Sequence, residues 1–440
     1  MFIVDEYQCQ GGTPCKSCIR TQQICTSAKS TNSIVFLPAT TKNTIALSRG
    51  RQKCNALSRP ITPDDFSLYI THFNESFICF NSFTGGSADQ FGDVHTLLRD
   101  SSSLQNAVMA VSALDVEMRG GSHRRVSEST SLEYYRSGIA SVQADLLRSD
   151  LKVNSSVLWS TFFLGLYELM SDATGEGWIK HFLHGTSALL QYRGPAAHRS
   201  GAGRRFFLTT RVFEISRALI YSSETFLAQE EWRILTGKLW SGNQAKDWHP
   251  KEALFDLMTA CSTLGLQAMK AIRDIMDCAG SSKEVILREL AADGFRLREE
   301  LSAWRMSSCK WSLRSTSQSS QIQMNLALAY YNAISIFLSG IFDYHNHWKD
   351  HGISTATLSD LEIQAHVSAI LELVGLGLKE GSLAGILFFF PLRVAGARAR
   401  TLEQRLEISR LLHLISTRGF VVAQAFVMDL DELWNSKPVD

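Results

Sequence analysis

From Pro63 onward, apolar residues recur at three- and four-residue steps. In "SLQNAVMAVSALDVEM", Leu104, Val108, Val111, Leu114 and Met118 form one stripe on a helix. "VLWSTFFLGLYELM", from Val157 to Met170, is apolar nearly all round, which predicts a central helix buried on several sides. Further helices are expected near 131–148, 176–193, 204–221, 252–278, 284–304, 321–343, 358–379 and 401–429. Beyond residue 62 the prolines are Pro63, Pro195, Pro250, Pro391 and Pro438. Helix interiors exclude proline, so this scarcity suits an all-α body. The pattern holds no convincing strand pairs, exact internal repeat or sustained heptad seam.

Breaks in the pattern mark boundaries. "QYRGPAAHRSGAGRR" predicts a loop that ends one helix and precedes the next. The longest apolar run, "LAGILFFFPL" (Leu383–Leu392), contains Pro391 and is about half the roughly 18 residues that a membrane helix needs. It predicts a buried helix end, and no membrane partner is expected. MFIVDEYQ carries acids where a secretory signal has a basic region. Residues 28–61 are rich in Ser, Thr and Asn without a sustained period and predict a flexible linker. The expected organisation is a Cys-rich head over 1–27, the linker over 28–61 and a large helical domain over 62–440.

Composition adds a sizeable core: 45% of the 440 residues are hydrophobic and 20% are charged. A net charge of +1 excludes a general polycation. The distribution says more. Residues 1–60 hold eight Lys/Arg against two acids, whereas the remaining residues hold 36 against 41. A polyanionic partner is therefore expected at the head, and a solvated arm is the alternative.

Nine cysteines without an export signal read as metal ligands rather than disulfides where they cluster. Cys9, Cys15, Cys18 and Cys25 follow C-x5-C-x2-C-x6-C. Zinc takes four thiolates in a tetrahedron, and C-x2-C lets one turn aim two sulfurs at one ion. In so small a head the metal would supply the folding energy, roughly 10–16 kcal/mol. Cys54, Cys79, Cys261, Cys278 and Cys309 are scattered and read as buried small hydrophobes.

"CQGGTPCKSCIRTQQIC" resembles the back half of the fungal zinc binuclear cluster, in which six cysteines hold two zincs. On that match Cys9 takes the third ligand position, and Cys15 the fourth, which bridges both metals. Cys18 and Cys25 take the fifth and sixth. Gly11, Gly12 and Pro14 fit the turn between the halves, and Lys16 a position that is often basic. Asp5 and Glu6 stand where the resemblance places a basic run. That run would carry the base contacts in the major groove. The expectation is an incomplete N-terminus, from a misplaced start or a missed exon, with a natural DNA-binding-deficient relative as the alternative. The four cysteines would hold one zinc if Cys9 swings across, or three would hold it with water.

The body resembles the fungal-specific transcription factor domain that follows such clusters. "LQNAVMAVSAL", "YYRSGIASVQADL", "LYELMSDATGEGWIKHFLHGTSALLQYRGP", "FEISRALIYSSETFLAQEEW" and "FFFPLRVAGARA" carry the likeness, from about residue 62 to near the C-terminus. The resemblance implies a helical regulatory domain that answers a small-molecule effector or protein co-regulator and has no catalytic residues. It implies a nuclear regulator of RNA polymerase II genes that meets DNA when the head is complete. The alternative is a helical ligand- or partner-binding protein that no longer binds DNA. A homodimer stays open. "SRGRQK" (Ser48–Lys53) is a weak candidate for nuclear import.

Enzyme signatures are missing. There is no G-x-x-x-x-G-K-[ST], no G-x-G-x-x-G after a strand and no G-x-S-x-G. His181 and His184 share a helix face and could bind metal with Glu168 or Glu176, although hydrogen-bonded helix histidines are the default. Asp343, His345, His347 and His351 form a second metal candidate, against a polar helix end. Trp159, Phe162, Phe163 and Tyr167 read as core rather than as a ligand pocket. Arg193, Arg199, Arg204 and Arg205 flank the Gly/Pro loop, where a solvated loop is the default and an acidic partner the alternative.

Overall fold

The computed structural model describes residues 63–78, 92–119, 130–147, 154–241, 245, 248–277, 282–314, 318–379 and 385–435. All lie within the unit Thr44–Asp440. The head cysteines Cys9, Cys15, Cys18 and Cys25 and the expected linker lie outside the described residues.

Every regular element among the described residues is helical. The first group is α1 (Pro63–Phe73), α2 (Gly92–Asp100), α3 (Ser102–Arg119), α4 (Thr130–Leu146) and α5 (Ser155–Ser171). Next come α6 (Glu176–His181), a π-helical stretch (Phe182–Ser187), α7 (Ala188–Arg193), α8 (Gly201–Ile220) and α9 (Glu230–Lys238). The long helices follow: α10 (Pro250–Asp277), α11 (Ser282–Ser312) and α12 (Gln318–Asp343). The chain closes with α13 (His347–Asp350), α14 (Asp360–Lys379), α15 (Phe389–Arg398), α16 (Leu402–Thr417) and α17 (Ala423–Asn435).

Helix α5 is apolar all round because helices cover it on several sides: α3, α4 and α8 all pack on it. Its start is set locally, where Asn154 Oδ1 accepts the Ser156 N–H at 3.0 Å and satisfies one free helix donor. Inside, Trp159 stacks on Phe163 at 5.8 Å and meets Phe206 of α8 edge-on at 4.9 Å. Phe162 meets Phe213 at 5.5 Å. The four aromatics of this helix are buried core, as their spacing predicts.

The second packing centre is α12, which contacts α10, α11, α14 and α15. Buried Tyr330 on α12 donates its hydroxyl to Leu387 O at 2.7 Å, which ties this helix to the turn before α15. Pro391 falls in the first turn of α15, where no intrahelical partner for its nitrogen is needed, and its apolar run is buried as expected. Helices α12 and α14 are both long and apolar enough on average to cross a membrane, although neither holds an uninterrupted apolar run of that length. On α12, 72% of that apolar window lies inside the fold. Helix α14 turns Ile363, Val367, Ile370, Val374 and Leu378 inward.

The single helix expected over 401–429 is two helices. Thr401 opens α16 with a reciprocal capping box to Gln404. Gly419, at φ 108°, then turns the chain into a conformation that L-residues avoid. The Val422 N–H beyond it donates to Leu169 O at 3.3 Å, so the break brings α17 back toward α5. The Gly194–Pro195 boundary is placed as expected: Gly194 has φ 75°, and α8 begins six residues after Pro195.

Candidate functional site

Among the described residues no group of three His, Cys, Asp or Glu able to hold a metal occurs. The His181 imidazole binds Thr161 O through Nε2 at 2.8 Å, and burial pushes its pKa down to about 4. Glu168 instead accepts the Tyr135 hydroxyl, and burial raises its pKa. The side chain of His184 lies outside the described residues. In the second cluster, Asp343 pairs with Arg398 at 2.5 Å, and the His345 and His347 rings stack at 6.3 Å. His351 bonds back to His347 O at 2.8 Å.

Two other expectations are corrected. Arg193 and Arg204 are structural ties rather than solvated loop charges. Arg193 donates to Asn154 O at 3.1 Å, and Arg204 donates to Leu239 O at 3.2 Å and lies over the Trp240 ring. Guanidinium groups suit such ties because their several donors reach backbone carbonyls at helix ends. Cys261 is buried as expected, but Cys309 is exposed, because it sits on a solvent-facing side of α11.

The chemistry gathers elsewhere. A cleft of about 630 Å³ opens between α8, α9, α10 and α11. That volume is in the range of small-molecule sites. Its floor is ionic. Arg211, 2% exposed, donates through Nη2 to Glu252 O at 2.9 Å and to Glu252 Oε2 at 2.6 Å. Lys251, also buried, lies 3.8 Å from Glu252 Oε1. Burial pushes the Lys251 pKa down, and Arg211 adds to that shift, while Glu252 opposes it. Asp256 sits at the rim, 3.6 Å from Arg211 Nη1. Burial raises its carboxyl pKa, while Arg211 and Arg233 pull it down. On the opposite wall Arg296 is paired with Asp293 at 2.9 Å and Glu300 at 3.1 Å. Leucines and Ile215 line the space between.

Helix geometry explains the assembly. Pro250 occupies the first position of α10, where a missing N–H costs nothing, and Glu252 follows in the first turn, where the helix dipole favours an acid. Arg211 reaches it from the middle of α8, 41 residues away in sequence. Sequence reasoning missed this site. The one hint is the Pro-Lys-Glu run, which reads as an ordinary helix start.

Two buried histidines flank the region and make stability pH-dependent. His198 donates from Nδ1 to Gly203 O at 3.1 Å, and His249 Nδ1 accepts the Lys251 N–H at 3.1 Å. Burial pushes both pKa values from 6.5 down to about 4. The folded chain keeps them neutral where the unfolded chain takes up protons. Their contribution is therefore complete above pH 6.5 and is lost as pH falls toward 4, by about 1.4 kcal/mol per pH unit for each residue. Urea denaturation at pH 7 and pH 5 checks this, with a shallower pH slope expected for His198→Phe. An unchanged midpoint between the two pH values contradicts it.

Comparison with known proteins places this architecture. Over 96 residues the chain is 32% identical to an uncharacterized protein of Emericella nidulans, a match that covers 22% of this chain. The chain spans about one fifth of that relative's length, 20%. No solved structure matches this chain. The family profile described as fungal specific transcription factor domain matches residues 67–438, which take in the whole cleft and nearly all of the helical body. The chain therefore belongs to the fungal specific transcription factor domain family.

Proposed function

We propose that this chain is a nuclear transcriptional regulator whose helical body receives an effector in the cleft between α8 and α11. The family match over 67–438 carries this reading. A cleft with the buried Arg211 in its wall gives the effector a place to act. In this reading Cys9, Cys15, Cys18 and Cys25 hold zinc in a head that meets DNA when the cluster is complete. The zinc is structural, and no catalytic step is assigned to the body. Partners would be a small-molecule effector or co-regulator and a second copy of the chain. A regulator that works without DNA is the second reading, favoured by Asp5 and Glu6 standing where the basic run belongs.

Native mass spectrometry of the purified, reduced chain tests the head. Bound zinc is expected, with its loss in Cys15→Ser and Cys18→Ser while the helical circular dichroism of the body persists. A metal-free wild-type chain overturns the zinc assignment. Chromatin immunoprecipitation separates the readings: discrete promoter occupancy supports the DNA-binding regulator, and its absence in a nuclear protein supports the second.

A further inference from the structure

We propose that the cleft takes an amphipathic organic monocarboxylate, with its carboxylate against Arg211 and Arg233 and its apolar body along Ile215, Leu227, Leu264 and Leu297. This rests on the reading that the cleft is the effector site and names the effector's chemical class.

On the near side of the cleft the lining holds two cations, Arg211 and Arg233, against one acid, Asp256. Arg211 and Lys251 share one buried acid, Glu252. Asp256 at the rim has a side chain 56% exposed, so water screens part of its charge, although partial burial raises its carboxyl pKa. A guanidinium cannot shed its proton, so Arg211 stays charged at 2% exposure. Its donors are not all used. Nη2 is taken up by Glu252, and Nε has no partner. Nη1 has Asp256 Oδ1 at 3.6 Å, too long for a hydrogen bond. Nη1 is therefore the group able to receive an acceptor from the cleft. A carboxylate is the acceptor that a guanidinium pairs with most strongly.

Arg233 adds a second cation from α9. It is exposed and lies close enough to Asp256 to pull down its carboxyl pKa. The far wall argues for a single negative charge. Arg296 is already held by Asp293 and Glu300, which leaves that wall one acid in excess. A second carboxylate on the ligand would meet repulsion there. Between the two walls lies apolar surface, which favours an alkyl or aryl body over a sugar or nucleotide.

Isothermal titration calorimetry of the full chain at low salt tests the proposal with octanoate, octanamide and octylamine, which share chain length and differ in head group. Octanoate is expected to bind at least tenfold more tightly than either control. Arg233→Ala should weaken octanoate about fivefold or more and leave octanamide unchanged. Ala260→Trp, which fills the cleft from its partly exposed α10 wall, should abolish binding. Both variants should keep the wild-type melting profile. If octanamide or octylamine binds as tightly as octanoate and Ala260→Trp abolishes that binding, the carboxylate class is overturned while the cleft remains the effector site. If none of the three binds, or binding survives Ala260→Trp, the cleft assignment falls as well.

Discussion

Glu252→Ala lowers the unfolding free energy by about 3–5 kcal/mol, the cost of removing one partner from a buried ion pair. Glu252 is the buried counter-charge that Arg211 and Lys251 share. Lys251 can respond by giving up its proton, since burial already depresses its pKa. Arg211 cannot, and its Nη2 would keep only the Glu252 backbone carbonyl. The loss therefore falls on Arg211. Replacing both sides, as in Arg211→Met with Glu252→Leu, should recover most of the stability, because the desolvation cost of the pair disappears with it. Urea denaturation of the single and double variants measures both effects. A single variant within about 1 kcal/mol of wild type, in the range of exposed surface pairs, would show that Glu252 is solvated rather than buried.

Trp232→Ala costs a further 3–5 kcal/mol or so, as large-to-small changes in well-packed cores do. Trp232 is 1% exposed. Its ring stacks on Phe207 at 5.5 Å, meets Phe226 edge-on at 4.6 Å and lies 5.8 Å from His198. No nearby side chain can fill the space an indole leaves, since these neighbours are held by α8 and the turns around it. Trp232 also fixes α9, the helix that carries Arg233 and Thr236 into the cleft wall. The same variant should therefore weaken octanoate binding, even below its lowered melting temperature. Trp232→Phe keeps most of the packing and should restore binding along with stability. Thermal melts and calorimetry on the two variants separate a general loss of fold from the specific loosening of α9. Full stability in Trp232→Ala would contradict the packing described.

Much of the helical frame was legible before the fold. Periodicity placed α3 and α5, and the low proline content suited an all-helical body. Short-range chemistry marked the turn at Gly194–Pro195, whereas the Thr401–Gln404 capping box emerged only in the fold. The split between α16 and α17 was not legible, because a glycine inside an apolar pattern does not announce its φ. Cys309 was misplaced because a lone cysteine carries no periodic signal of which helix face it occupies. The arginines at 193 and 204 read as loop charges because their partners, Asn154 and Leu239, lie 39 and 35 residues away.

The sequence by itself determined an all-helical body, its central apolar helix and the thiolate spacing of the head. Each depends on residues within a turn or two of one another, so local pattern suffices. Only the tertiary structure decided which charges gather beside the cleft. Arg211 and Glu252 meet because α8 and α10 pack, and a charge in a helix shows its burial only when another helix covers it.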